Sequence, residues 1–228
     1  ASGTGGTAPY TYQWYDNANN PIAGQTATVI NSRCAGNYSV RLTDQTGCIA
    51  TAYATVITNP LVANATASSV LCNGDCNGII TAVLSGGKTP YSFIVQDGSG
   101  NTVYNGASSI IANLCAGNYS LVVTDAGSCA ITIPLTVNQP SAINPTPSNT
   151  LPLCFGNCNG VVSVTVNGGT PPYTYEWRYN TVVIGSTSSV NNRCAGNYVV
   201  KVTDGNNCVT PFVAVILSQP ALLNDSMT

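Results

Sequence analysis

Apolar and polar residues alternate one by one through most of this chain. Tyr198, Val200 and Val202 fall on one face of an extended segment and Val199, Lys201 and Thr203 on the other, the period of two that marks a half-buried strand. Tyr38, Val40 and Leu42, with Arg41 facing out, repeat the pattern, and so do Tyr119, Leu121 and Val123. Each run is introduced by Cys-Ala-Gly-Asn-Tyr (Cys34, Cys115 and Cys194 lead the copies) and ends on Thr43-Asp44, Thr124-Asp125 or Thr203-Asp204. A second cysteine, Cys48, Cys129 or Cys208, follows the first by fourteen positions. A turn is expected after each Asp, which can bond its own backbone two residues on. A returning strand is expected from each second cysteine. Two of these strands contain Pro134 and Pro211, which lack a ladder donor and so point to a sheet edge. The chain is a tandem array.

The repeats divide the sequence into 1–59, an incomplete repeat (strands C to G), then 60–139 and 140–219, complete, and 220–228, the start of a further one. Gly5-Gly6-Thr7-Ala8-Pro9-Tyr10 matches Gly86 to Tyr91 and Gly168 to Tyr173, which lie in the middle of the later copies, so the chain reads as a window of a longer repetitive protein. Each complete copy predicts seven short strands and no helix. Strand A is expected over about 61–67 and strand B over 79–84, or 161–166 in the third copy. Strand C carries Tyr173, Tyr175 and Trp177 on one face; two weaker strands follow near 103–104 and 108–112, then the hairpin of strands F and G. This pattern predicts an all-β chain of tandem immunoglobulin-like antiparallel β-sandwich modules of about 80 residues. Trp14, Phe93 and Trp177 on strand C and Tyr38, Tyr119 and Tyr198 at the start of strand F are the expected core. A tyrosine at that corner of an immunoglobulin-like sandwich bonds backbone upstream. Pro9, Pro90 and Pro172 are candidates for cis peptide bonds.

Charge changes the picture next. Only 6 basic and 8 acidic residues occur among 228, so no basic patch can neutralise several phosphates and nucleic acid is not an expected partner. No apolar run approaches the length needed to span a bilayer, and no membrane insertion is expected for this segment. Surface wetting falls to Thr, Ser, Asn and Gly, as suits an extracellular strand-rich protein, and scarce charge also fits burial of the outer faces in an assembly. Ten regularly spaced cysteines and no histidine point to disulfides and an oxidising compartment rather than to zinc.

Strand direction places the cysteines. If B rises, C descends and F rises again, the A–B loop and the start of F share one pole, so Cys76–Cys115 and Cys158–Cys194 are the expected bridges within repeats. Closing such a loop of about 40 residues contributes roughly 4 kcal/mol on the chain-entropy model. Cys129, at the far tip of the F–G hairpin, lies a strand's length away. Two pairings of the remainder stay open: Cys72 with Cys208 of the following repeat and Cys129 with the repeat before it, or Cys72 with Cys129 inside one repeat. Cys34, Cys48 and Cys154 belong to the same inter-repeat or alternative set.

The combination Cys-Asn-Gly-x-Cys-Asn-Gly (from Cys72), Gly-Gly-Thr-Pro-Pro-Tyr-Thr-Tyr-x-Trp (from Gly168), Cys-Ala-Gly-Asn-Tyr, Val-Thr-Asp and Cys resembles the SprB-type repeat of large secreted surface adhesins of the Bacteroidetes. The second copy departs by carrying Val95 where the others have Trp. The resemblance implies type IX secretion, a cell-surface or extracellular location, and roles in adhesion, filaments or gliding.

No enzyme, cofactor or metal site is expected. Triads built on histidine are impossible without it, Glu176 faces outward without a second carboxylate for glycosidase chemistry, and Asp97 and the Asp of each Thr-Asp turn read as turn formers rather than calcium ligands. Asp225-Ser226-Met227 is similar to an Asp-Ser/Thr-apolar O-glycosylation site, which nominates Ser226. The expected function is that of a stalk or filament module of a secreted adhesin, with neighbouring repeats, further copies and a surface polysaccharide as candidate partners. The alternative is a glycan-binding sandwich using Tyr15, Tyr104 and Tyr179.

Overall fold

The computed structural model describes residues 1–31, 33–57 and 59–224, and every regular element among them is a strand. Ser226 lies outside the described residues. The first repeat holds β1 (Thr11–Tyr15), β2 (Gly36–Thr43) and β3 (Ile49–Val56) in one antiparallel sheet of that order. The second holds β4 (Val62–Ala67), β5 (Gly78–Ser85), β6 (Tyr91–Asp97), β7 (Thr102–Gly106), β8 (Ile110–Leu114), β9 (Gly117–Asp125) and β10 (Ala130–Val137). The third holds β11 (Asn144–Thr150), β12 (Gly160–Asn167), β13 (Thr174–Tyr179), β14 (Val182–Gly185), β15 (Ser189–Arg193), β16 (Gly196–Thr203) and β17 (Val213–Leu217).

In each complete repeat the strands form two sheets, β4-β5-β8 with β10-β9-β6-β7, and β11-β12-β15 with β14-β13-β16-β17. In letters these are A-B-E and G-F-C-C′, an immunoglobulin-like arrangement in which the fourth strand joins the sheet of the third. The prolines sit where a missing N–H is tolerated: Pro134 in β10 and Pro145 and Pro147 in β11, all edge strands. Two elements begin later than the alternation predicts. β17 starts at Val213 rather than at Cys208, after an isolated Thr203–Val209 bridge, because Pro211 has no donor to continue the ladder. β8 starts at Ile110, because the Ser108 hydroxyl bonds both the N–H and the carbonyl of Ile110 and turns the chain there.

The core follows the alternation. In the third repeat Val162 and Val164 of β12 and Val190 of β15 pack with Trp177, Tyr198, Val200, Val202, Val215 and Leu217 from the other sheet. Trp177 is wholly buried and its indole N–H donates to the Thr187 carbonyl at 2.9 Å, which satisfies the one polar atom that burial would otherwise strand. Trp14 is buried likewise and donates to Ala27, so it is a core residue and not a sugar platform. The register keeps this position constant: Trp177 faces Val200, Trp14 faces Val40, and Val95 faces Leu121. Phe93 and Tyr198 are buried; Tyr38 and Tyr119 are half-buried.

The described residues group into two compact units, one of 1–67, 80–111 and 117–136, the other of 68–79, 112–116 and 137–228. The second repeat contributes residues to both. The Ala8–Pro9, Thr89–Pro90 and Pro171–Pro172 bonds are cis.

Candidate functional site: the cysteine joints

Three local devices hold the cysteines. The first is the Asp of the Thr-Asp turn. One oxygen of Asp204 accepts the N–H groups of Asn206 and Cys208, both at 2.9 Å, while the other accepts the N–H of Thr170. Asp125 does the same with Gly127, Cys129 and Lys88, and Asp44 with Thr46, Cys48 and Thr7. Each carboxylate therefore shapes the F–G turn, presents the second cysteine, and ties that turn to the Gly-Gly turn some 34 to 37 residues earlier. Those glycines are required by space as well as by φ. Gly169 has φ +66°, and a Cβ there would meet Ile143 at 2.7 Å and Asp204 at 3.0 Å.

The second device is the corner tyrosine. Tyr198 donates to the Cys194 carbonyl at 2.8 Å and Tyr38 to the Cys34 carbonyl at 3.0 Å, fixing the first cysteine of the motif against the strand that follows it. The third is the A–B loop. In the second repeat the Asn77 side chain accepts the N–H of Leu71, the Gln139 side chain accepts that of Gly74, and Asp75 N–H donates to the Cys72 carbonyl. In the third, Asn159, Gln219 and Asn157 make the same bonds around Leu153, Gly156 and Cys154.

On these supports the structure forms four disulfides. Cys76–Cys115 and Cys158–Cys194 lie within the second and third repeats. Cys34–Cys129 connects the first repeat to the second, and Cys72–Cys208 the second to the third, with Cα separations of 5.5 and 5.6 Å. Cys72 is thus not joined to Cys129. At the second of these joints Asn206 donates to the Leu71 carbonyl at 3.0 Å and Asn73 to the Pro140 carbonyl at 2.9 Å. Cys48 and Cys154, expected in bridges, are instead exposed free thiols. By position Cys154 corresponds to Cys72, which takes an F–G cysteine from the next repeat, and this chain has no such cysteine beyond Cys208.

The carboxylates carry the electrostatics of the joints. The Thr7 N–H, followed by the Thr46 hydroxyl, holds Asp44 at about 2, below the ordinary 3.8. The N–H groups of Cys129 and Lys88 lower Asp125. Burial pushes Asp204 up, but the N–H groups of Thr170, Cys208 and Asn206 outweigh it and the net shift is downward. A folded-state pKa below the unfolded one gives stabilisation that is complete above the unfolded value and lost as pH falls through the folded one. The thermal midpoint should therefore stay level from neutral pH to about 4 and drop between about pH 4 and pH 2, with a shallower drop in Asp44→Asn. Circular dichroism melts across that range test this, and an unchanged midpoint at pH 2 would contradict it.

The other candidates fall apart on inspection. Asp97 accepts the N–H groups of Ser99 and Asn101, so it closes its own turn. Glu176 is not alone: Arg178 and Lys201 both pair with it, and both cations lie over the Phe212 ring at 4.8 and 5.3 Å. Hydrogen bonding from Lys201 is the main cause of its lowered pKa. Two of the tyrosines proposed for glycan stacking already have partners, Arg41 over Tyr15 at 4.9 Å and Tyr198 against Tyr179 at 5.0 Å. The hydroxyl of Tyr104 accepts the N–H of Ser108. Clefts of about 390 and 370 Å³ flank the Cys72–Cys208 and Cys34–Cys129 bridges, and neither is lined by an aromatic residue. No helix is long and apolar enough to cross a membrane.

Several supporting residues escape the alternation pattern. Tyr10, Tyr91 and Tyr173 close the Gly-Gly turn by donating to the carbonyls of Gly5, Gly86 and Gly168. Gln139 and Gln219 cap the A–B loops from 65 and 63 residues away. Their signal in the sequence is the Gln-Pro that precedes each new repeat, Gln139-Pro140 and Gln219-Pro220.

The motifs that build these joints coincide with a known repeat, whose family model matches residues 1–19, 64–100 and 150–181. The chain carries SprB repeats. Among curated proteins none matches it. Among solved structures it is similar to the four N-terminal Ig domains of a Dscam1 isoform, with 15% identity over 92% of this chain and 65% of that one and a TM-score of 0.34. It is also similar to extracellular domains 3–5 of Drosophila OTK, with 14% identity over 94% and 87% of the two chains and a TM-score of 0.32. The chain thus spans slightly less than two thirds of the length of the Dscam1 structure.

Proposed function

We propose that these SprB repeats are the structural part, a stalk or filament, of a secreted cell-surface adhesin that serves attachment or gliding, with neighbouring repeats as its principal partners. The observation that carries this reading is the interleaving of the inter-repeat bridges. Cys34–Cys129 and Cys72–Cys208 overlap along the chain, so every residue from Cys34 to Cys208 lies inside at least one covalent loop. A recognition domain needs a shaped surface, whereas a tensile element needs a covalent path that survives unfolding. Few charges and an exterior of Thr, Ser and Asn fit a surface location outside the cell, and four disulfides fit an oxidising one.

Retention on polysaccharide beads separates this role from glycan binding. The structural reading expects the chain to elute in the void at all loadings. Saturable retention that disappears in Tyr179→Ala or Tyr15→Ala would assign the repeats to carbohydrate recognition instead.

A further inference from the structure

Two thiols are left over, and they are complementary. Cys48 sits in an F–G turn built like that of the bonded Cys208. In both, the Asp four residues earlier accepts the cysteine N–H at 2.9 Å and donates its own N–H to the cysteine carbonyl at 3.0 Å. Cys154 sits in an A–B loop built like that of the bonded Cys72, with the same Asn, Gln and backbone bonds around it. Cys72 and Cys208 are joined, and Cys208 is buried there to 9% exposure, while Cys48 and Cys154 are both exposed. The molecule therefore holds one assembled joint and, separately, the two halves of another.

We propose that Cys154 of one chain and Cys48 of a second copy form an intermolecular disulfide, repeating the Cys72–Cys208 joint and linking chains head to tail. The inference rests on the structural reading above, since it takes that joint as the template. An A–B loop and an F–G turn are different surfaces, so the contact is heterologous and leaves one free half at each end, ready for a further chain. Bond formation needs a disulfide oxidant such as oxidised glutathione. The Cys48 thiolate attacks a glutathione sulfur and expels one glutathione thiolate, leaving a mixed disulfide. The Cys154 thiolate then attacks the Cys48 sulfur and expels the second. Two protein thiols lose two protons and two electrons, and one glutathione disulfide becomes two thiols.

Because both positions are exposed, serine substitution leaves the folded repeats intact. Cys48→Ser and Cys154→Ser chains are incubated in a glutathione redox buffer, alone and mixed, then resolved without reduction and mapped by peptide mass. A disulfide dimer should appear only in the mixture and carry a Cys48–Cys154 peptide, while the unsubstituted chain gives a ladder of multimers. Dimers of either variant alone, a Cys48–Cys154 bond within one chain, or a mixture that stays monomeric although the Cys72–Cys208 peptide is recovered would each overturn the inference and leave the structural reading standing. Absence of the Cys72–Cys208 peptide itself would overturn both.

Discussion

Replacing Cys72 and Cys208 together by serine is expected to lower the unfolding free energy of the region they close by about 5 kcal/mol, the chain-entropy value for a separation of 136 residues. The same estimate for the Cys76–Cys115 pair, 39 residues apart, is about 4 kcal/mol, so the inter-repeat joint should matter at least as much as the bridge inside a repeat. Either loss is a large fraction of the 5 to 15 kcal/mol that holds a typical domain together. Guanidinium midpoints compared under non-reducing conditions give the readout. Reductant should bring the unsubstituted chain down to the double variant or below it. A double variant as stable as its parent would mean that the joint is not closed in solution.

Trp177→Ala should cost about 4 kcal/mol, because the side chain is wholly enclosed between the two sheets and its removal leaves a cavity as well as an unpaired Thr187 carbonyl. Tyr179→Ala, two residues on and 39% exposed, should change stability by less, about 1 kcal/mol. Chemical denaturation followed by circular dichroism compares them. Equal effects would show that the sandwich core is not where the alternation places it.

The alternation reads well in this sequence because most strands have one wet face, so Tyr198, Val200 and Val202 stand out from Val199, Lys201 and Thr203 without any partner strand being known. Strand ends read less well. Pro211 and the Ser108 hydroxyl move the starts of β17 and β8 by local bonding that periodicity does not encode. The joints lie further still from what one repeat can tell. Asp204 and Thr170 are 34 residues apart and meet only once the sheets have formed. The bond between Cys34 and Cys129 depends on how one repeat meets the next, and alternation within a strand carries no information about that. What the sequence does display is recurrence. The same Asp, Asn and Gln reappear at matching places in each copy, and every one of them turns out to hold a cysteine loop or turn in position.

The central claim is that the repeats are joined covalently so that unfolding cannot lengthen them much. With both inter-repeat bridges closed, the shortest covalent path from Cys34 to Cys208 runs along the chain from Cys34 to Cys72 and then across the disulfide, 38 residues (72 minus 34) in place of 174 (208 minus 34). At about 3.4 Å per residue the fully extended span is roughly 130 Å against roughly 600 Å. Single-molecule pulling between handles outside these two cysteines measures that span directly. The account predicts an extension limited to roughly 130 Å under oxidising conditions and released to roughly 600 Å by reductant. Full extension before any reductant is added would contradict it.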